Sequence, residues 1–449
     1  MLIEVWLDNG VIKDAFISDT LYRGFEEIII GRPAVVIPYY TQRICGICSS
    51  AHAMAASFAV EQALAMQVPP NGILLRNLIV VGDFIQNHIR HLYLMAMPDY
   101  FKGPDIAPFT PHLDGDFRLS QQENQRMTEH YFKAIDISRL GHAAFGVFGG
   151  KAPHGHGIVP GGVTMDINAE RINRYRGFLV EIMGFIDNVM IPDVELIVER
   201  YPEYVNLGRG NGNYVSVGGF IGIDGSTLFP QGAILNGSRT EFDEGLVTED
   251  VTTAWYKQTG AVHPFEETTT PDRGQPKGYT WIKAPRYHGE AIEVGPLARS
   301  IIAKEKVMGY GAIGRLWART METKKIAEAA MLWLTQLHPG AETLNTNKGQ
   351  ESGTGVGLFE AMRGALGHWI KVENGRVKNY QIVTPSAWNF SSRDDKGQRS
   401  VGESILLGLT SRTDELKEGG RLIRSLDPCF SCTVHLLERD KVRSLDIEV

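Results

Sequence analysis

At 449 residues, with 43% hydrophobic and 22% charged residues and no long low-complexity tract, the chain has the composition of a folded globular protein, which excludes a disordered one. A net charge of -7 with scattered basic residues excludes an electrostatic nucleic-acid binder. No signal-peptide order of residues, no apolar run near ~18 residues and only four cysteines lead to the expectation of a soluble chain in a reducing compartment, cytoplasmic or held at a membrane through partner subunits.

Residues Leu2 to Leu7 alternate, Asn9-Gly10 follows, and Val11 to Ile17 alternate again. Asn-Gly there predicts a β-hairpin, because both turn positions need positive φ. Arg23-Gly24-Phe25-Glu26 begins a short helical stretch to Ile30, and a longer helix follows Cys45 and Cys48 through Ala65, ended by Pro69-Pro70. Asn71 is expected to cap the next helix. Its residues Leu78, Gly82, Ile85, Ile89 and Leu92 repeat at steps of three and four, and a second apolar face, Val81, Phe84, His88, His91 and Met95, predicts burial nearly all round.

Gly141 to Met165 is glycine-rich and reads as loops and short strands, with His154 and His156 as loop histidines. Asn168 caps a helix carried by Ile172, Tyr175, Leu179, Ile182, Ile186 and Val189. Tyr204 to Tyr287 reads as strands and long loops. A helix over Ile313 to Leu337 closes at Pro339-Gly340, and Glu373-Asn374-Gly375 marks a second hairpin between Trp369 to Val372 and Val377 to Val383. Gly353 to Gly357 lacks the Lys-Ser/Thr of a phosphate loop, so nucleotide binding is rejected. The expected fold is α+β, a bundle of long buried helices with peripheral antiparallel strands and hairpins, in one composite domain over residues 1–435.

All four cysteines fall in two Cys-x-x-Cys pairs, Cys45 with Cys48 and Cys429 with Cys432, each followed by a histidine, His52 and His435. Two intervening residues let both sulfurs of a pair face one ion. From the residues alone a structural zinc site, a pair of redox dithiols and a catalytic metal all stay open, though a chain this long needs no staple. His52 stands one helical turn from Cys48, placed to hydrogen-bond a sulfur and tune it.

Both thiol motifs, Arg43-x-Cys-Gly-x-Cys-x-x-x-His52 and Asp427-Pro-Cys-x-x-Cys-x-x-His435, resemble the paired signatures of nickel-iron hydrogenase large subunits. The likeness extends through Arg23-Gly24-Phe25-Glu26, Lys283-Ala284-Pro285-Arg286-Tyr287, Glu293 to Arg299 and Arg363 to Trp369. The resemblance implies that Cys45 and Cys429 bind nickel while Cys48 and Cys432 bridge it to iron. It further implies that the iron carries one carbon monoxide and two cyanides, held by Arg363 and Ser386. Dihydrogen would be split heterolytically, with Cys429 as the favoured base and Arg363 polarising the substrate. Glu26, His435 and the Ile382 carbonyl resemble the ligands of a second site for magnesium, or iron.

Further implications concern partners. An iron-sulfur small subunit would take the electrons, possible further electron-transfer subunits would follow it, and nickel-insertion proteins and a maturation protease would act beforehand. Leu436 to Val449 matches an extension removed on maturation, with cleavage after His435. Three departures stand out: the upstream segment with a proton-passing glutamate is not in this sequence, Asn87 replaces a usual aspartate, and Met362 replaces the proline before the active-site arginine.

Overall fold

The computed structural model describes all residues except 108, 111–114, 258–259, 348, 411–414, 430–433, 439–440 and 446–449. Strands β1 (Leu2–Asp8) and β2 (Val11–Ser18) form the expected hairpin, turning at Asn9 and Gly10 with φ of 49° and 72°. Short helices α1 (Phe25–Ile29) and α2 (Ile37–Thr41) lead to α3 (Ser49–Leu64), whose N-cap residue is Cys48.

Helix α4 (Pro70–Arg90) is the central helix and is buried nearly all round. It starts one residue before the expected cap. Pro70 takes the first helical position, where its missing N–H costs nothing, and Asn71 lies inside the first turn, donating to the carbonyls of His338 and Ala341 at 2.9 and 3.3 Å. The glycine-rich reading of Gly141 onward is corrected for its first third. Residues to 149 belong to α5 (Gln121–Gly149), the longest helix, which opens with a capping box between Ser120 and Glu123. Gly82 and Gly141 are the reason those positions are small: a methyl group on Gly82 would lie 2.7 Å from both the Gly141 carbonyl and the Phe145 amide, so α4 and α5 cross almost backbone to backbone.

Beyond a two-strand ladder of β3 (Ile158–Val159) and β4 (Gly162–Val163), helix α6 (Ala169–Phe185) is capped by Asn168, which accepts from the Arg171 amide at 2.9 Å, and α7 (Ile191–Arg200) follows. The expected strand region supplies β5 (Tyr214–Ile221), β6 (Thr227–Leu235), β7 (Ser238–Thr240), β8 (Val247–Asp250), β9 (Ala261–Val262) and β10 (Ala284–Tyr287) in two small antiparallel sheets. Helices α8 (Pro296–Ile302) and α9 (Ala312–Thr335) return the chain to the bundle. A meander of β11 (Gly353–Ala361), β12 (Gly364–Glu373) and β13 (Arg376–Val383) then turns at Asn374 and Gly375, as the second hairpin signal predicts. Helices α10 (Pro385–Asn389), α11 (Val401–Ser404) and α12 (Glu415–Ser425) precede a last hairpin of β14 (Val434–Glu438) and β15 (Lys441–Leu445).

Glycines 353, 355 and 357 are not a phosphate loop. They lie on one face of β11 and meet Ala63, Ala59 and Ala55 of α3, whose carbonyl oxygens occupy the space that a methyl group on each would need. The two repeats match: alternate strand residues recur every ~6.7 Å and fourth helix residues every ~6 Å. Helix α3 therefore lies flat on the strand. Gly357→Ala is expected to lower stability by about 1–3 kcal/mol through overpacking. By contrast Gly146→Ala, on α5 with open space beside it, should raise stability by about 1 kcal/mol. Thermal unfolding of the two variants should shift in opposite directions.

Candidate metal centre

A short turn, Gln42–Ile44, ends at Cys45, whose extended backbone aims its sulfur back at the start of α3. The amides of Ile47 and Cys48 donate to Cys45 Sγ at 3.3 and 3.4 Å. From the other end of the chain, α12 runs into Asp427, where a φ of 54° turns the backbone and delivers Cys429. Its Sγ lies 3.4 Å from that of Cys45, and the sulfurs of Cys45, Cys48 and Cys429 all fall within 4.8 Å of one another. Soft donors this close can converge on one ion. Cys432 lies outside the described residues, and of His435 only its place in β14 is described.

The sulfurs share protons unequally. Hydrogen bonds from Cys429 and Cys48 pull the Cys45 thiol well below its ordinary value; the contacts with Cys429 and Cys45, with burial, push Cys48 well up, and the contact with Cys45, with burial and against that with Cys48, pushes Cys429 up to about 12. Arg363 stands beside them. Burial would lower its pKa, but Asp427 and then the thiols outweigh this and hold it as a cation. Its Nε donates to the Asp427 carbonyl at 3.0 Å and carboxylate at 3.1 Å, while its Nη1 is buried with no hydrogen-bond partner among the described residues. An unmet guanidinium N–H at the edge of a thiolate cluster is the donor that a polar ligand on a metal there would need. Ser386 fits the same role: its Oγ accepts from the Cys429 amide at 3.1 Å, leaving its own proton free to donate.

Asp427, which no local pattern in the sequence singles out, joins the charges. Despite burial, Arg363, His91 and Arg319 hold its carboxyl below the usual carboxylate range. Its other oxygen pairs with Arg319 at 3.0 Å, and Arg319 reaches His88 Nδ1 at 2.7 Å and Asn87 Oδ1 at 3.4 Å. Asn87, in place of an aspartate, thus meets Arg319 rather than Arg363. His88 and His91 are buried core histidines as expected, and His91 Nε2 lies 2.6 Å from the Arg424 carbonyl of α12. Met362 is buried, its carbonyl accepting from Arg299 at 3.2 Å.

Side chains of α4 hold the first thiol loop. Asp83 Oδ2 accepts from the Ser50 amide at 3.0 Å and the Ser50 hydroxyl at 2.6 Å, satisfying a free N–H in the first turn of α3, and Gln86 donates to the Ile47 carbonyl at 3.1 Å. Burial raises the Asp83 carboxyl to about 7 in spite of these bonds. His52 lines one cavity with Cys45, Cys48 and Cys429, its Nδ1 held by His368 at 3.1 Å, and burial lowers it to about 4, so it is neutral. His154 and His156 sit in the loop after α5, and the His154 amide donates to Ser49 Oγ at 3.1 Å.

A cavity of about 570 Å³ runs from the thiols to Glu26, Lys283 and Ile382. Glu26 accepts from the Ile382 amide at 3.0 Å, from Lys283 at 3.1 Å and from the Thr269 hydroxyl. The structure thus joins Glu26 to Ile382 through the amide of that residue. Lys283 is buried, and Glu249 at 3.4 Å and Glu267 at 2.7 Å also face it, so three carboxylates surround one ammonium. Burial would lower its pKa, but Glu249, Glu26 and Glu267 raise it well above the ordinary value. The lysine of the Lys-Ala-Pro-Arg-Tyr block was the available signal for this cluster.

The family model described as nickel-dependent hydrogenase matches residues 23–102, 99–310 and 306–435. The chain belongs to the nickel-dependent hydrogenase family. Its relatives are hydrogenase large subunits, among them the periplasmic NiFeSe hydrogenase large subunit of Desulfomicrobium baculatum, 33% identical over 98% of this chain and 93% of that protein. The Hydrogenase-1 large chain of Escherichia coli is 29% identical over 98% of this chain and 94% of its own length. The quinone-reactive Ni/Fe-hydrogenase large chain of Wolinella succinogenes is 30% identical over 97% of this chain and 93% of its own length. The reduced, active form of the Ni-Fe-Se hydrogenase from Desulfomicrobium baculatum superposes with a TM-score of 0.92 at 33% identity, covering 95% of each chain. This hydrogenase large subunit is accordingly an oxidoreductase acting on dihydrogen.

Proton sharing among the thiols sets a pH dependence. Cys48 and Cys429, pushed up, hold protons at neutral pH and must release them to bind a metal. Cobalt or nickel added to the metal-free chain should bind more weakly as pH falls, by about tenfold per pH unit for each proton released. Thiolate-to-metal charge-transfer absorbance measures this.

Proposed function

We propose that this chain is the catalytic subunit that interconverts dihydrogen with protons and electrons at a nickel-iron centre held by Cys45, Cys48, Cys429 and Cys432, with residues 1–435 acting as one composite domain. The observation that carries the reading is the meeting of thiols from opposite ends of the chain, Cys45 and Cys429 at 3.4 Å, beside a buried arginine with an unmet N–H. When bound, the metal pair supplies the Lewis acidity that polarises dihydrogen.

The chain's own residues do the rest. Cys45, Cys48, Cys429 and Cys432 would hold the nickel-iron pair through their thiolates, Cys45 and Cys429 on nickel and Cys48 and Cys432 shared with iron. Cys429 would receive the proton of the split dihydrogen at its sulfur. Asp427 orients Arg363, whose unmet Nη1 and the Ser386 hydroxyl would donate to the carbon monoxide and two cyanides of the iron, and Arg363 would polarise the substrate. Glu26, the Ile382 carbonyl and His435 would hold magnesium, or iron, at a second site. Support comes from the surplus of carboxylates around Lys283 and from the oxygen donors lining that end of the cavity.

Every cysteine of this sequence is assigned to the centre, so electrons leave through iron-sulfur clusters of a separate small subunit. Exposed Leu21 and Ile47, the latter between Cys45 and Cys48, give that subunit an apolar surface beside the thiols. No helix among the described residues is long and apolar enough to cross a membrane.

Maturation ends at His435. The family match also stops at residue 435, and the bond after it lies in β14, paired with β15, so this hairpin must open before a protease can cut. Active protein should therefore end at His435 by mass spectrometry; active protein ending at Val449 contradicts cleavage.

Hydrogen-dependent dye reduction by the purified complex tests the catalytic roles. Arg363→Lys keeps the charge but loses the planar fork, and should lower the rate about 10²–10³-fold with metal content unchanged. Cys429→Ser should abolish both nickel and activity. Full activity in either variant refutes the assignment.

A further inference from the structure

Three buried polar side chains form one hydrogen-bonded line that ends at the metal centre. His52 Nδ1 lies 3.1 Å from His368 Nε2, and His368 Nδ1 lies 2.6 Å from Tyr380 Oη. His52 is 2% exposed, and His368 and Tyr380 are fully buried. The line spans α3, β12 and β13. His368 and Tyr380 meet as a diagonal pair on one face of the sheet, since the register sets His368 opposite Ile382 and Ile370 opposite Tyr380.

Each bond between two ring nitrogens needs one N–H and one lone pair, and a neutral imidazole has one of each. Only two proton arrangements satisfy the whole line. In the first, the Tyr380 hydroxyl donates to His368 Nδ1, His368 Nε2–H donates to His52 Nδ1, and His52 carries its proton on Nε2. In the second, every bond is reversed, and the Tyr380 hydroxyl must turn its proton elsewhere.

Nothing there receives it. Tyr380 packs in a core cluster with Ile29, Ala34, Ile37 and Ala56, and its oxygen has no other partner among the described residues. Leaving a buried donor without an acceptor costs its full desolvation penalty. The second arrangement also leaves His52 with a bare Nε2 lone pair in a cavity that it shares with the sulfurs of Cys45, Cys48 and Cys429, where lone pairs already abound. Both ends of the line therefore select the first arrangement.

We propose that Tyr380 and His368 are positioning residues that fix His52 in the Nε2–H tautomer, so that it presents a donor to the thiolate cluster. The tautomer follows from this chain alone; only its consequence for catalysis rests on the nickel-iron reading. Tyr380 acts without touching the centre, as the terminal donor that gives the line its direction.

The test has two parts. In the metal-free full chain labelled with ¹⁵N-histidine, long-range proton-nitrogen correlations distinguish protonated from bare ring nitrogens, and a His52→Gln variant assigns the His52 signals. The wild type should show a bare Nδ1 and a protonated Nε2 on His52. Tyr380→Phe should move both signals toward the average of the two tautomers, and so should His368→Leu. His368→Gln, whose amide can accept from Tyr380 and donate to His52, should restore the wild-type pattern even if the leucine variant fails to fold. In the loaded enzyme, Tyr380→Phe should shift the infrared bands of the iron ligands and lower the turnover number about tenfold with KM unchanged. A protonated Nδ1 on wild-type His52, or His52 signals unmoved in folded Tyr380→Phe, overturns the proposal. A chain with the proposed tautomer but zinc in place of nickel and iron would instead refute the nickel-iron reading alone.

Discussion

Everything at the centre depends on how closely α3 lies on β11. Helix and sheet normally stand apart by the depth of two side-chain layers; here glycines 353, 355 and 357 face Ala63, Ala59 and Ala55, and the layers are removed. Cys48 is the residue before α3, and His52 lies in its first turn. The height of that helix above the sheet therefore sets the distance from the first thiol pair to Arg363, in the turn between β11 and β12, and to His368 on β12. A single methyl group in the contact would displace all of them together.

The second thiol pair is brought in by charge rather than by close packing. Asp427, two residues before Cys429, is shared by Arg363 from the sheet and Arg319 from α9, all three of them buried. A buried ion network of this kind contributes little net stability, because desolvation offsets attraction, but it fixes geometry, since removing one member leaves an uncompensated charge. Around it, His91 holds the Arg424 carbonyl and Arg424 pairs with Asp99, so the end of α12 is tied to the helix bundle just before the chain turns toward the thiols. A large chain can thus close a metal site with its two ends.

Much of the architecture is legible in local pattern. Both Asn-Gly turns, the burial of α4 on all sides and the Asn168 cap follow from short-range chemistry, and the thiol pairs are visible because the chain has no other cysteines. Helix α5 escapes because its glycines read as loop, whereas Gly141 is small for the sake of the crossing with Gly82, a partner 59 positions away. Asp83, Lys283 and Asp427 share that difficulty: each acts through a partner distant in the chain, Ser50, Glu26 or Arg319, and no spacing announces such pairs. Residues that hold other residues are the part of a site that local sequence shows least.

The proposed nickel-iron centre joins thiols from both ends of the chain and carries diatomic ligands. An infrared spectrum of the purified mature protein, taken with its metal analysis, tests this most directly. The expected result is nickel and iron in equal amounts at the centre, with one carbon monoxide band and two cyanide bands. Zinc alone, without those bands, would contradict it.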